Sequence, residues 1–284
     1  MPEDILSILD LMPADGFRER LLQKLLITRR TPMLATTAAP IREGFQTVTP
    51  YLTVVELDRM VAFLTAAFGA KQTERQGGHA ELRIGDSMLM VGGGEQCRGR
   101  ENTGAFHLYV PDCDATFAQA IAAGAESLGD PADRPYGERS GFVKDLAGNH
   151  WYIATRFAWN PAPAGVRTVV PYAFPSKARG FIDFLQRAFG AEPMDIFEEG
   201  GRVMHAAARV GDAVIEMGEP GDDTFLPSMF FLYVEDCDAV YQQALAAGAT
   251  SQSAPADLPY GRSATVIDPY GYQWVPTSVA NLKG

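Results

Sequence analysis

The sequence predicts an α+β fold: two tandem domains, each of two strand–helix–strand–strand–strand (βαβββ) modules, behind an N-terminal helical extension. The first observation behind this is an internal repeat. Tyr109-Val110-Pro111-Asp112-Cys113-Asp114-Ala115 returns as Tyr233-Val234-Glu235-Asp236-Cys237-Asp238-Ala239, a shift of 124 residues. Each copy continues through Ala-Ala-Gly-Ala (122–125 and 246–249), Pro-Ala-Asp-x-Pro-Tyr-Gly (131–137 and 255–261) and Asp-x-x-Gly-x-x-Trp, ending at Trp151 and Trp274. The second observation is that hydrophobic spacing switches between a period of two and one of 3.6 inside each copy. The third is a Gly-Asp pair between β-prone runs, at Gly85-Asp86 and again at Gly211-Asp212, which marks a tight hairpin.

Residues 1–45 lie outside the repeat. Ile5, Leu6, Ile8, Leu9 and Met12, then Phe17, Leu21, Leu22, Leu25 and Leu26, predict two amphipathic helices broken near Pro13. Basic residues cluster on the second, and its expected partner is the acidic body or a neighbouring subunit. The first domain spans 46–157. Tyr51–Val55 reads as a strand, Leu57–Phe68 as a helix through Met60, Phe63, Leu64 and Ala67, and Gly69 as its C-cap. Ala80–Ile84 and Met88–Val91 flank the first Gly-Asp turn. A second module opens at Phe106–Val110, continues through an alanine-rich helix with Asp114 as N-cap and Gly124 at its end, and closes in strands up to Thr155. Residues 158–166, rich in proline and small side chains, read as a linker. The second domain spans 167–284. There the repeat shift grows from 121 (Phe68/Phe189) to 126 (His79/His205), predicting a five-residue insertion near Glu198–Arg202 as a longer hairpin loop.

Composition narrows the function. The chain has 284 residues, 46% hydrophobic and 21% charged, which fits an ordinary globular protein. Acidic residues exceed basic ones by 35 to 24. That balance disfavours nucleic acid and anionic membranes as partners and favours a small organic molecule or a protein. Cys97, Cys113 and Cys237 lack CxxC spacing, so neither a disulfide framework nor a zinc knuckle is expected. With no basic, apolar leader and no run long enough to span a membrane, the expected compartment is the cytoplasm. Dinucleotide, phosphate-loop and nucleophile-elbow motifs are also missing from the sequence.

Taken in order, the Pro-Tyr-Leu strand, the helix ending Phe68-Gly69-Ala70, the Gly-Asp hairpins, and Asp145–Trp151 with Asp268–Trp274 resemble the vicinal oxygen chelate superfamily, which includes glyoxalase I, bleomycin-resistance proteins and extradiol dioxygenases. The resemblance implies two glyoxalase-like domains whose paired modules form cup-shaped mixed sheets, with helices outside and the ligand or metal inside. It leaves open whether modules pair within a copy or between copies.

Strand parity assigns the cup-facing side chains, because alternate residues face opposite sides. Ala80, Leu82, Ile84, Leu89 and Val91 form a helix-facing set, which leaves His79, Glu81, Arg83, Met88 and Met90 inside. By the same count His205, Arg209, Val214 and Glu216 face a cup, as do His107, Tyr109, Phe231 and Tyr233. Candidate ligand-binding residues are therefore Tyr51, His79, Glu81, Arg83, His107, Tyr109, Tyr152, His205, Arg209, Phe231 and Tyr233. Glu216 either acts as a base or pairs with Arg209 on the same face.

The family's metal positions carry over to Thr49, Met90, His107 and Tyr152 in copy one, and to Val170, Glu216, Phe231 and Val275 in copy two. Each cup keeps one usable donor, whereas a catalytic zinc takes about three protein ligands. The expectation is no metal and no other cofactor. The alternative is a divalent metal at a non-family site in the first domain, from His79, Glu81, His107 and His150. The leading functional reading is a small-molecule-binding protein, related to resistance by sequestration. Its alternatives are a lyase or isomerase using His107 or Glu216 as acid or base, and an assembly scaffold with vestigial cups. A homodimer through the N-terminal helices or module pairing is a further possibility.

Overall fold

The computed structural model describes residues 41–221 and 225–279. The two N-terminal amphipathic helices expected before residue 41 lie outside these residues. Among the described residues, sixteen strands and four α-helices follow one another as four βαβββ modules. The first module is β1 (Val48–Val54), α1 (Leu57–Phe68), β2 (Lys71–Gln76), β3 (His79–Ile84) and β4 (Ser87–Gly93). The second is β5 (Ala105–Tyr109), α2 (Cys113–Ala122), β6 (Glu126–Arg134), β7 (Glu138–Lys144) and β8 (His150–Arg156). The third is β9 (Val169–Ala173), α3 (Ala178–Phe189), β10 (Glu192–Glu199), β11 (Arg202–Val210) and β12 (Ala213–Met217), and the fourth is β13 (Met229–Tyr233), α4 (Cys237–Ala246), β14 (Thr250–Leu258), β15 (Gly261–Ile267) and β16 (Gln273–Ser278).

Modules pair between the two copies. The first sheet runs β14-β15-β16-β13-β1-β4-β3-β2 and joins modules one and four. The second runs β10-β11-β12-β9-β5-β8-β7-β6 and joins modules two and three. Antiparallel pairs close each sheet at its centre, with Thr49 opposite Phe231 in one and His107 opposite Val170 in the other. The apolar cores follow the copies instead. One core gathers Leu52, Leu64, Leu82, Leu89, Phe106, Leu108, Trp151 and Ile153; the other gathers Phe181, Leu185, Ile215, Phe230, Val266 and Trp274. Each copy therefore buries its helices as one unit, while each cup takes half its wall from either copy.

Reciprocal hydrogen bonds tie the two sheets together. Thr47 donates its backbone N–H to Asp212 Oδ1 (2.7 Å), and Thr168 does the same to Asp86 Oδ1 (2.8 Å). The turn glycines are required here. Gly85 and Gly211 sit at φ +58° and +60°, and a Cβ on either would lie 2.2 Å from the hydroxyl of Thr168 or Thr47.

Local chemistry explains the element ends. α1 occupies Leu57–Phe68 as the spacing predicts, and Gly69 closes it in the left-handed conformation. The α2 N-cap is Asp112 rather than Asp114: its carboxylate accepts from Ala115 N at 3.0 Å, and Asp236 repeats this before α4. Asp114 instead clamps Arg139 (2.7 Å to Nη2), so Arg139 ties the first turn of α2 to β7. The insertion in the second copy lengthens strands rather than a loop. β10 and β11 have eight and nine residues where β2 and β3 have six each, and both turns keep two glycines. Extending the ladder pairs the added backbone groups that a loop would leave to solvent.

Candidate functional site

The sheet pairing redistributes the expected site residues. Tyr51, His79, Glu81, Arg83, Phe231 and Tyr233 belong to the first sheet, and His107, Tyr109, Tyr152, His205, Arg209 and Glu216 to the second. The alternative metal site does not assemble, because His79 and Glu81 stand on one sheet and His107 and His150 on the other. The expectation of one donor per cup is also corrected. His107 and Glu216 come from different copies but share the second cup, whereas the first cup has Thr49, Met90, Phe231 and Val275 at the corresponding positions.

The first cup is filled by its own chain. Phe45, Met88, Met90, Phe231 and Tyr233 form a buried apolar cluster against which Ile41, Tyr51 and Val275 pack. Arg42 is bonded through both terminal nitrogens to the carboxylate of Glu81, which is 3% exposed, and reaches Glu74 at 3.1 Å. Its guanidinium lies 4.8 Å from the Phe45 ring centre. The segment leading into β1 thus seals this cup with one aromatic and one charge. In the second cup the corresponding lead-in contributes Val166, packed beside Val170, Ala207 and Val214.

The second cup holds a buried group of charges. His107 Nδ1 lies 2.6 Å from Glu216 Oε2, and its Nε2 lies 3.5 Å from Glu138 Oε2. Tyr109 donates its hydroxyl to Glu216 Oε1 at 3.0 Å and accepts from Arg156 Nη2 at 2.6 Å. Arg156 also lies 3.5 Å from Glu138 and 3.8 Å from Glu216, with its guanidinium 4.3 Å from the Tyr109 ring centre. Glu138, Glu216 and His107 are all buried. Arg209 does not pair with Glu216 but donates to the carbonyl of Ala164 at 2.9 Å, and His107 takes the place expected for it. Above this floor stand Tyr152, Tyr172 and Phe174, with ring centres 5.0–6.1 Å apart, and His205 completes the wall 6.4 Å from Tyr172. All four are partly exposed.

The electrostatics follow from this packing. Burial alone would lower the His107 pKa, but Glu216 and Glu138 outweigh burial and hold it at about 9, so the ring is an imidazolium near neutral pH. Burial would raise Glu216, yet His107 and then His205 hold it well below the usual carboxylate range. Burial first, then the Glu216 charge, pushes the Tyr109 and Tyr172 hydroxyls up, so both stay protonated.

Four of these residues, Glu138, Arg156, Tyr172 and Phe174, were not singled out by sequence reasoning. Glu138 had a readable signal: the repeat shift falls from 124 at Gly137/Gly261 to 123 at Arg139/Arg262, so Glu138 is the extra residue of copy one. Arg156, its cross-strand neighbour, is the cation that closes β8.

The pattern of the Glyoxalase/Bleomycin resistance protein/Dioxygenase superfamily matches residues 44–153 and 173–275. The chain belongs to this superfamily. Within the superfamily fold, glyoxalase I from Zea mays superposes with a TM-score of 0.64 at 16% identity, over 82% of this chain and 92% of that one. Uncharacterized proteins of Mycobacterium bovis and Mycobacterium tuberculosis are 32% identical over 122 residues, which is 37% of this chain and 80% and 72% of theirs. A superfamily metal does not fit the residues present. The four positions of the second cup are His107, Tyr152, Val170 and Glu216; valine offers no donor, and the imidazole and carboxylate are bonded to each other. Arg156 also sets a fixed positive charge 3.5 Å from Glu138 and 3.8 Å from Glu216. Among the described residues no group of three or more His, Cys, Asp or Glu side chains is arranged to hold a metal, and no helix is long and apolar enough to cross a membrane.

Proposed function

We propose that this superfamily member binds a small organic molecule of aromatic character in its second cup, without a superfamily-type metal centre. The observation that carries the reading is the pairing of a buried ionic floor with a partly exposed aromatic wall: His107, Glu216, Glu138 and Arg156 below, Tyr152, Tyr172, Phe174 and His205 above. Such a composition, mostly apolar with a few directed polar groups, suits a ligand that stacks and is oriented from one side. The first cup, which Phe45 and Arg42 fill, is a structural element in this reading.

Binding is favoured over proton abstraction. An imidazolium has no proton-accepting nitrogen, and a carboxylate held far below its ordinary pKa is a weak base. Sequestration of a ligand needs neither. The test is an aromatic fragment screen read by protein NMR. Hits should shift the signals of Tyr152, Tyr172, Phe174 and His205 and be lost in Tyr172→Ala. Hits that shift Tyr51, Phe231 and Tyr233 would assign the ligand to the wrong cup.

A further inference from the structure

The two cups differ at one pair of equivalent residues. In the first, Tyr51 and His79 satisfy each other: their rings stack with centres 5.8 Å apart, and the tyrosine hydroxyl lies 3.4 Å from His79 Nδ1. Their counterparts in the second are Tyr172 on β9 and His205 on β11. There the ring centres are 6.4 Å apart and no hydrogen bond joins the two side chains. His205 Nε2 faces Glu216 Oε2 at 4.0 Å, beyond hydrogen-bond range. Among the described residues neither the Tyr172 hydroxyl nor His205 Nδ1 has a hydrogen-bond partner, and neither is among the polar atoms sealed from solvent. The His205 side chain is 40% exposed, so a molecule in solution reaches it.

The lip beside this pair differs as well. Phe197 on β10 is the register partner of His205, so the two side chains share the cup face. Its ring is 59% exposed. In the first cup the residue opposite His79 is Gln76, polar and exposed. An open aromatic ring beside two unpaired polar groups is the combination a ligand site presents, apolar surface with a few directed hydrogen bonds.

The neighbours of the pair set what it accepts. The Tyr172 hydroxyl stays protonated and so donates. In the neutral His205 ring the Glu216 carboxylate favours the proton on Nε2, which leaves Nδ1 to accept. A group that takes one hydrogen bond and gives another completes both, and a hydroxyl does this with a single oxygen. The buried floor of His107, Glu216, Glu138 and Arg156 remains paired within itself and needs no contact with the ligand.

The geometry points to an aromatic molecule bearing a hydroxyl, such as a phenol, as the ligand of the second cup, with its ring against Phe197 and its hydroxyl accepting from Tyr172 and donating to His205. This rests on the reading of the cup as a binding site and names the chemistry of what binds.

Phenol, anisole and toluene separate the possibilities, because they share one ring and carry a hydroxyl, an acceptor alone, and neither. Titrated into the full chain near neutral pH and followed by NMR, phenol should shift the signals of Tyr172, Phe197 and His205 with a dissociation constant on the order of 1 mM, as so few atoms allow. It should bind about tenfold tighter than anisole or toluene, although both are more hydrophobic. His205→Leu and Tyr172→Phe should each remove most of that preference while toluene still binds. Phe197→Gln, which copies Gln76 of the first cup, should weaken all three probes alike. If anisole or toluene binds as tightly as phenol while those signals shift, the hydroxyl inference is overturned and the binding reading stands. A preference for phenol that survives both His205→Leu and Tyr172→Phe overturns it in the same way. If no probe shifts the signals of the second cup up to about 10 mM, a concentration well above the expected constant, both fall. The wild-type comparison decides the matter even if a variant fails to fold.

Discussion

Replacing His107 by glutamine removes the central cation of the second cup while keeping a side chain of similar reach. Two buried carboxylates, Glu216 at 2.6 Å and Glu138 at 3.5 Å, then lose a counter-charge. Breaking a buried pair in this way costs about 3–5 kcal/mol. The pH dependence makes the prediction specific. A histidine whose pKa rises from 6.5 to about 9 on folding binds its proton more tightly in the native state. Its stabilisation is complete below the unfolded value, near pH 6.5, and is lost as pH climbs through about 9. A rise of this size corresponds to about 3 kcal/mol, on the order of 10 °C in Tm for a chain of this length. Thermal unfolding followed by circular dichroism from pH 6.5 to 9.5 should therefore show a large gap between wild type and His107→Gln at the lower pH, narrowing steadily toward the upper. A gap that stays constant across the range would refute the imidazolium assignment. So would an NMR titration placing the His107 ring pKa at or below its ordinary value.

Further substitutions probe the frame that holds the two cups. Arg42→Ala should cost about 1–2 kcal/mol, discounted because the guanidinium is 43% exposed, and Arg42→Ala/Glu81→Gln should recover part of it, since the second change removes the stranded carboxylate; chemical denaturation measures both. Gly85→Ala or Gly211→Ala, each placing a methyl against a threonine hydroxyl at positive φ, should cost more than about 1 kcal/mol and speed amide exchange at Thr168 or Thr47 respectively. Asp268→Ala removes the carboxylate that accepts from Trp274 Nε1 at 2.8 Å and from Tyr270 N at 2.8 Å. The loss should be about 2–4 kcal/mol by calorimetry, with Asp145→Ala, which frees the Trp151 indole, giving a similar value.

The fold was legible because it rests on local patterns that recur. Hydrophobic spacing marks α1 residue for residue, and parity sorts Ala80, Leu82 and Ile84 toward the helices and Glu81 toward the cup. Sheet partners were not legible, because every module carries the same grammar and a first strand can pair with that of either copy. The site inherits this ambiguity. His107 and Glu216 are separately readable as cup-facing, but their contact depends on modules two and three sharing a sheet. The insertion was visible in the changing repeat shift, while its pairing as added strand between β10 and β11 was not, because a length difference does not say whether the extra residues pair. Glu138 was legible as the extra residue of copy one, but with no counterpart in copy two nothing marked it as part of a site. Phe45 and Arg42 precede the repeat, so no counterpart marked them as the filling of the first cup.

The central claim is that one cup binds a small organic molecule without a superfamily metal. Native mass spectrometry of protein isolated without chelators tests it most directly, because metal and retained ligand are weighed together. The account predicts at most one organic adduct per chain and no stoichiometric transition metal. A stoichiometric metal that disappears in His107→Ala would contradict it.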